Sequence, residues 1–452
     1  LRVAVLGGGI SGVSAAWFLL RPELEGIVSE VVLLEKEEVP GGLCGTVEME
    51  GHRFDYGPHN IHSVDPWFNS LMSSMLGDDY RARVYQPLVQ FRGKFVPYPM
   101  RGLDILKGVS PLLSTGCAAS FLWSRIESLF REWRDDSFED FIVNRFGRML
   151  YDVYFGPFTQ KTWGVPGSAI SSDFGRQRIG IFNLWDLFKR TFLGIRPRNM
   201  EAEEDPFLNS RCYYPDLGSG VIVDDMLRSC SGDPRFTLVT GCPVTGAGTD
   251  GGRLTRVLTG LGPFEADVFL SSIPLTEMAG FLGAGSGLRF TSTRFLFLAL
   301  SERFGMRGAP WIYFSDRRTE FNRVCSMTRM SERMSPPGGT SLCVEFTSTA
   351  SDSMWTRSPE SLLESALSGL SRFGLVDPAA VESWRVADRR NTYPLRLVGY
   401  REELARTSAI LESVPNLISF GRLGGFGYLN MDHCVAAARD AVLRATSVKV
   451  AG

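Results

Sequence analysis

The sequence predicts an α/β fold in which one sheet is assembled from widely separated pieces of chain. Three observations predict it. An apolar strand, a glycine turn and a helix open the chain; a glycine-rich loop running into a helix closes it; strand-like and helical runs lie between them with no low-complexity linker. At 452 residues the chain is too long for one small core, so two regions or one large α/β assembly is expected. Hydrophobic residues make up 44% and charged residues 22%, the balance of a soluble globular protein. Lys and Arg number 48 against 50 Asp and Glu. That leaves no basic excess and excludes a nucleic-acid binder, which needs a basic face.

The first element is "LRVAVL", a short apolar run suited to a buried parallel strand. "GGGISG" is the turn, and Ser14 to Leu20 supply small and apolar residues for the helix that packs back. Val31 to Leu34 form a second strand ending at Glu35. Residues 60–210 are expected to be mostly helical. Within them, "GVSPLLSTGCAASFLW" (108–123) is too short to span a bilayer and carries Pro111. A core helix is expected there, with peripheral membrane contact as the other reading. Residues 236–273 and 290–347 read as strands, 358–373 and 403–412 as helices, and the chain ends as strand, glycine loop and helix.

The eight cysteines are scattered with no Cys-x-x-Cys pair. They are expected to be free thiols of a reducing compartment, hence a cytoplasmic location and no zinc site. No secretory leader is expected, because the sequence starts directly on the apolar strand.

Gly7, Gly9 and Gly12 form Gly-x-Gly-x-x-Gly at the strand-to-helix turn. The first glycine allows the tight turn, the second lets a pyrophosphate approach the backbone, and the third lets helix and strand pack closely. The helix N-terminus, at Ile10 and Ser11, offers free N–H groups to the phosphates. Glu35, at the end of the second strand and followed by Lys36, is placed to accept hydrogen bonds from ribose hydroxyls. This is a Rossmann-type dinucleotide site.

The stretch "PGGLCGT" (40–46) resembles the second glycine pair of FAD proteins in the amine oxidase and protoporphyrinogen oxidase group. That resemblance brings Gly41 and Gly42 close to a flavin diphosphate. Leu43 stands where the group usually has a basic residue. "GRLGGFGYLNMDHCVAAARDA" (421–441) resembles the closing FAD motif of the same superfamily, and "ADVFLSSIP" (266–274) its returning strand. The resemblance implies FAD as cofactor. It adds Gly421, Arg422, Asn430, Met431 and Asp432 to the binding residues, with Asp432 as the expected cap of the last helix. Val244 is included in the same set. "GHRFDYGPHNIHS" resembles the segment beneath the flavin, which implies that Tyr56, Gly57, Pro58 and His59 contact it. His59 and His62 are spaced as a metal pair, but neither His52 nor His433 lies in a Cys/His cluster. They are expected to line the pocket and act on flavin or substrate, and no metal is expected.

The resemblance implies a Rossmann-type FAD-binding domain (1–65, 211–285 and 415–452) with an interleaved α+β substrate domain (66–210 and 286–414). Two chemistries fit it. In the first, an oxidoreductase passes a hydride from a small-molecule substrate to flavin N5, a step that asks little of the protein beyond orientation and desolvation. In the second, the chain is a mutase similar to UDP-galactopyranose mutases, and its substrate is a sugar nucleotide. "YPLRLVGY", "GYLNMD", "FNRV" and "FTQKTWG" resemble mutase segments. They imply that Tyr393, Tyr428, Arg323 and Trp163 contact substrate, with Arg323 also a catalytic candidate. Asn430 replaces the mutase acid, and "SAISSDFGRQRI" resembles the protoporphyrinogen oxidases instead. The first reading is the one preferred.

Overall fold

A computed structural model describes residues 1–98, 110–127, 129–130, 132–179, 211–316, 318–349 and 351–447. β1 (Arg2–Leu6), α1 (Ile10–Leu19) and β2 (Glu30–Leu34) open the chain. β3 (His52–Asp55) leads to the turn at 57–62, and β4 (Leu88–Phe91) and β5 (Lys94–Pro97) form a hairpin. The helices α2 (Pro111–Glu127), α3 (Phe138–Phe146) and α4 (Gly156–Trp163) follow. After β6 (Arg211–Pro215) and α5 (Gly220–Ser231) come β7 (Phe236–Val239) and β8 (Val268–Ser271). The second half adds β9 (Arg289–Leu300), β10 (Trp311–Phe314), β11 (Arg323–Ser326), β12 (Thr340–Thr349) and β13 (Val381–Leu395). β14 (Leu417–Ser419) and α6 (Met431–Ser447) close the described chain.

Two sheets organise these elements. The first is parallel, in the order β14-β8-β1-β2-β7. Four of the five residues of β1 are buried, and the strand lies between β8 and β2. That two-sided burial explains its unbroken apolar run. α1 packs against both α6 and α5, so eight of its ten residues are buried and it shows no polar face. The second sheet runs β13-β9-β12-β11-β10-β4-β5, antiparallel except where β10 pairs parallel with β4. The two sheets draw alternately on the chain, so the α/β fold with an interleaved α+β region is the fold observed.

The described part of 60–210 is mostly helical, as expected, but Tyr80–Val84, β4 and β5 are strands within it. β4 is the short run "LVQF", and its partner β10 lies more than two hundred residues further on. A short apolar run cannot be typed without its distant partner. The part of that span at 180–210 lies outside the described residues. The run expected as a core helix is α2, which buries only Cys117 and Ser124. Leu112, Leu122 and Trp123 are 83%, 60% and 66% exposed. Only one narrow face of α2 packs, mainly against α3 and the turn after it. No described helix is long and apolar enough to cross a membrane.

Asp55, at the end of β3, ties the N-terminal segment to the distant stretch at 214–219. Its Oδ1 accepts from Thr46 Oγ1 at 2.6 Å, and its Oδ2 accepts from Tyr214 Oη at 2.7 Å and from the Ser219 N–H at 3.0 Å. Burial raises the pKa of this carboxyl, and the hydrogen bonds oppose that rise. Three donors converging on one side chain match an ionised carboxylate. Tyr214→Phe removes one donor to a buried acceptor. It should lower unfolding free energy by about 1.5–3 kcal/mol, read as a shifted urea midpoint at unchanged slope.

Candidate active site

The glycine turn between β1 and α1 is built from backbone contacts. Gly7 has φ +95° and its N–H donates to Leu34 O at 2.8 Å. A Cβ on Gly12 would lie 1.8 Å from Gly7 O, so no side chain fits there. A Cβ on Gly9 would meet nothing within 4 Å, which leaves the turn open on that side. Gly9 is extended and gives α1 no side-chain cap, and it pairs with Gly41 in an isolated parallel bridge. The second glycine pair lies against the first: Gly41 N–H donates to Gly8 O at 2.8 Å, and a Cβ on Gly42 would reach Gly9 Cα at 3.3 Å. Leu43 turns away into the apolar cluster around Phe54, Phe297 and Tyr214.

Glu35 is buried at the end of β2. Its Oε2 accepts from Gly8 N–H at 2.5 Å and its Oε1 from Glu37 N–H at 2.9 Å. The Cys242 N–H donates to Glu35 O, which brings Val244 to the same corner. Lys36 is exposed and lies 3.9 Å from Glu37.

A second cluster lies where the Tyr56–Asn60 turn meets the seven-stranded sheet and the closing loop. Gly57, at φ +91°, abuts Glu345 so tightly that a Cβ would sit 2.6 Å from Oε1. Glu345 takes Arg323 in a two-point pair, Nε to Oε1 at 2.6 Å and Nη2 to Oε2 at 2.7 Å. Arg389 donates to Tyr56 Oη and lies over its ring. From the other side comes Arg422, whose predecessor Gly421 packs on Ser11 in the first turn of α1. Arg422 lies over the Tyr393 ring at 4.6 Å. Tyr393 stacks on Tyr428 with centroids 5.2 Å apart, and Trp163 stands against both at 6.4 and 6.0 Å.

His59 sits within reach of both arginines. Burial, reinforced by the charges of Arg422 and Arg323, pushes its pKa down to about 3. The ring is therefore neutral, and its Nδ1, 3.2 Å from Gly57 O, carries the proton. Nε2 is left as an acceptor. His62, by contrast, is exposed, so the two histidines diverge. Asn430 is exposed as well, and its carbonyl accepts the Cys434 N–H at the start of α6. Asp432, expected as the cap, falls inside the first turn beside His433, because α6 begins at Met431.

The residues present fit a dinucleotide. The glycine turn is open at Gly9, α1 has no side-chain cap, and the buried side-chain oxygen of Asn60, in the same turn as His59, has no partner among the described residues. Sequence reasoning missed Glu345, Arg389 and Tyr313, over whose ring Arg323 lies. Glu345 left one signal: a lone acid inside the apolar strand "SLCVEFT". Arg389 left none, since β13 carries charges along most of its length.

A fold with this turn and this sheet order is a Rossmann-like dinucleotide-binding fold. A family model described as NAD(P)-binding Rossmann-like domain matches residues 5–75. The mitochondrial protoporphyrinogen oxidase of Nicotiana tabacum is 27% identical over 224 residues, 45% of this chain and 42% of that protein. The carotenoid 3,4-desaturase of Haloarcula japonica is 46% identical over 261 residues, 50% of this chain and 46% of that protein. The chain thus matches these relatives over less than half of their length. A crystal structure of reduced UDP-galactopyranose mutase superposes with a TM-score of 0.83 at 20% identity, covering 99% of this chain and 96% of that one. The resemblance to protoporphyrinogen oxidases therefore holds over part of the sequence, and that to UDP-galactopyranose mutases holds in fold.

The low pKa of His59 has a measurable consequence. The unfolded chain takes up the His59 proton near pH 6.5, while the folded ring resists it down to about pH 3. Stability must fall as pH drops through that window, because the unfolded state binds more protons there. His59→Asn should lose less thermal-midpoint temperature than the wild type between pH 7 and pH 4.5. An equal loss in both would show that His59 is not the group held neutral.

Proposed function

We propose that the protein is an FAD-dependent oxidoreductase that takes a hydride from a small-molecule substrate onto flavin N5. The observation that carries this reading is the meeting of an open glycine cradle with a cluster holding a neutral histidine, a neutralised Arg323–Glu345 pair and three aromatic rings. Gly7, Gly9, Ile10, Ser11, Gly12, Gly41 and Gly42 would hold the diphosphate, Glu35 the ribose, Val244 the adenine side, and Gly421, Arg422 and the start of α6 the ring. Bound there, FAD supplies the hydride-accepting chemistry. The protein's share is placement. Tyr56, Gly57, Pro58 and His59 would face the ring, and His59 Nε2 would accept a hydrogen bond from the substrate. Trp163, Tyr393 and Tyr428 would exclude water. The parallel sheet, with 1–65, 211–285 and 415–452, is proposed as the FAD region, and 66–210 with 286–414 as the substrate region.

The second reading, a flavin-dependent UDP-sugar mutase, is favoured by one observation. Trp163, Tyr393, Tyr428 and Arg422 form a contiguous aromatic and cationic patch suited to a diphosphate. Arg323 supports it less, because Glu345 already occupies two of its donors. Anaerobic incubation of dithionite-reduced protein with UDP-hexoses separates the readings. A ring isomer formed only with reduced flavin would establish the mutase. No isomer, together with bleaching of the oxidised flavin by a C–H donor, would establish the oxidoreductase.

The glycine turn gives a sharper test of cofactor placement. Gly9 faces open space, so Gly9→Asp should fold normally yet purify without flavin, since its carboxylate would meet the pyrophosphate. Gly12→Ala should instead lower the unfolding temperature as well, because its Cβ collides with Gly7 O. A folded Gly9→Asp protein with full flavin absorbance would refute the placement.

A further inference from the structure

The stretch "FTQKTWG" supplies Trp163 to the aromatic cluster, but Lys161, two residues earlier on α4, meets a different surface. Its Nζ donates to Asp316 O at 2.7 Å and to Thr319 Oγ1, and it lies 6.0 Å from the Phe321 ring. All three residues lie in the connection between β10 and β11. α4 is itself seated on β12: a Cβ on Gly164, the left-handed residue that ends the helix, would lie 3.0 Å from the Thr349 N. Lys161 therefore reaches from a fixed helix to the β10–β11 connection. That connection runs into Asn322, whose N–H donates to Glu345 O and whose side-chain oxygen accepts the Thr347 N–H. Arg323 follows and pairs with Glu345.

Two acceptors match the two N–H groups of a neutral amine, whereas an ammonium carries three. Lys161 forms no ion pair among the described residues. The charged groups that face it are Asp316, taken by Arg318, and Glu320, taken by Arg357. Burial pushes the pKa of Lys161 down to about 7 against the pull of these two acids. A proton added here brings a third donor with no acceptor and a charge whose neighbours are already paired, which is costly.

We infer that Lys161 is a positioning residue: as a neutral amine it holds the β10–β11 connection, and through it Asn322 and Arg323, against α4, and uptake of a proton loosens that hold. The place of Arg323 in the pocket rests on the flavoenzyme reading above; the hold on the chain does not.

The test compares wild type, Lys161→Met and Lys161→Arg. Methionine removes both donor and charge, and arginine keeps the charge at every pH used. Urea unfolding is followed at pH 6 and pH 8. The unfolded lysine keeps its proton up to its ordinary value of 10.5, while the folded one gives it up near 7. The unfolded state therefore binds more protons above pH 7, and the contribution of Lys161 to stability rises with pH. The unfolding constant of the wild type divided by that of Lys161→Met should fall roughly tenfold from pH 6 to pH 8. Amide hydrogen exchange of peptides spanning 318–324 is compared between proteins at one pH, so that intrinsic rates cancel. At pH 8 these amides should exchange roughly 3- to 10-fold more slowly in the wild type than in either variant, the worth of one hydrogen bond. At pH 6 the wild type should exchange as fast as Lys161→Arg. A stability ratio that does not change with pH would overturn the inference, because the lysine would then keep its proton throughout. So would an exchange ratio of wild type to Lys161→Arg that is the same at both pH values, because the proton would not govern the hold. Should Lys161→Met fail to fold, Lys161→Arg takes its place in the stability ratio, since its charge does not titrate in this range. A wild type that takes up no flavin would remove the flavoenzyme reading, and both measurements would still judge the hold.

Discussion

The architecture of the site depends on how closely two backbone turns approach each other. Gly12 must lie against Gly7 O, and Gly41 must donate to Gly8 O, for the first and second glycine loops to share one wall. A methyl group at position 12 would push α1 off β1. α1 in turn is clasped between α5 and α6, and the loop before α6 carries Gly421 against Ser11. The same contact therefore fixes where Arg422 enters. One backbone approach near the N-terminus sets the position of a side chain more than four hundred residues later.

Charge gives the site its second level of order. Asp55, Glu35 and Glu345 are all buried, and each is met by donors: hydroxyls and a backbone amide at Asp55, backbone amides at Glu35, and a guanidinium at Glu345. Such acids act as fasteners, since each ties segments distant in sequence. His59 is kept neutral by the same surroundings, so it presents an acceptor where an imidazolium would add a third positive charge.

The comparisons and the geometry speak to different questions. Likeness to a mutase structure at 20% identity bears on the path of the chain, and one fold hosts many chemistries. The partial matches to an oxidase and a desaturase cover less than half of those proteins. What separates the readings is local: how many donors each arginine has left.

By itself the sequence determined the strand, glycine turn and helix that open the molecule. Gly7, Gly9, Gly12, the apolar strands around them and Glu35 are close together in the chain, and their packing follows from local backbone geometry, which a short motif encodes. The closing helix and its glycine loop were legible for the same reason. The tertiary structure alone decided the rest. It separated His59 from His62, although three positions apart they looked like a pair, because the 57–62 turn sends one ring inward and the other to solvent. It joined Arg323 to Glu345 through the register of two antiparallel strands, and it placed β4 beside β10 in a sheet no local pattern announces. It also exposed α2, whose apolar composition read as core. Long-range pairing and burial depend on which distant surface arrives, and no window of sequence contains that surface.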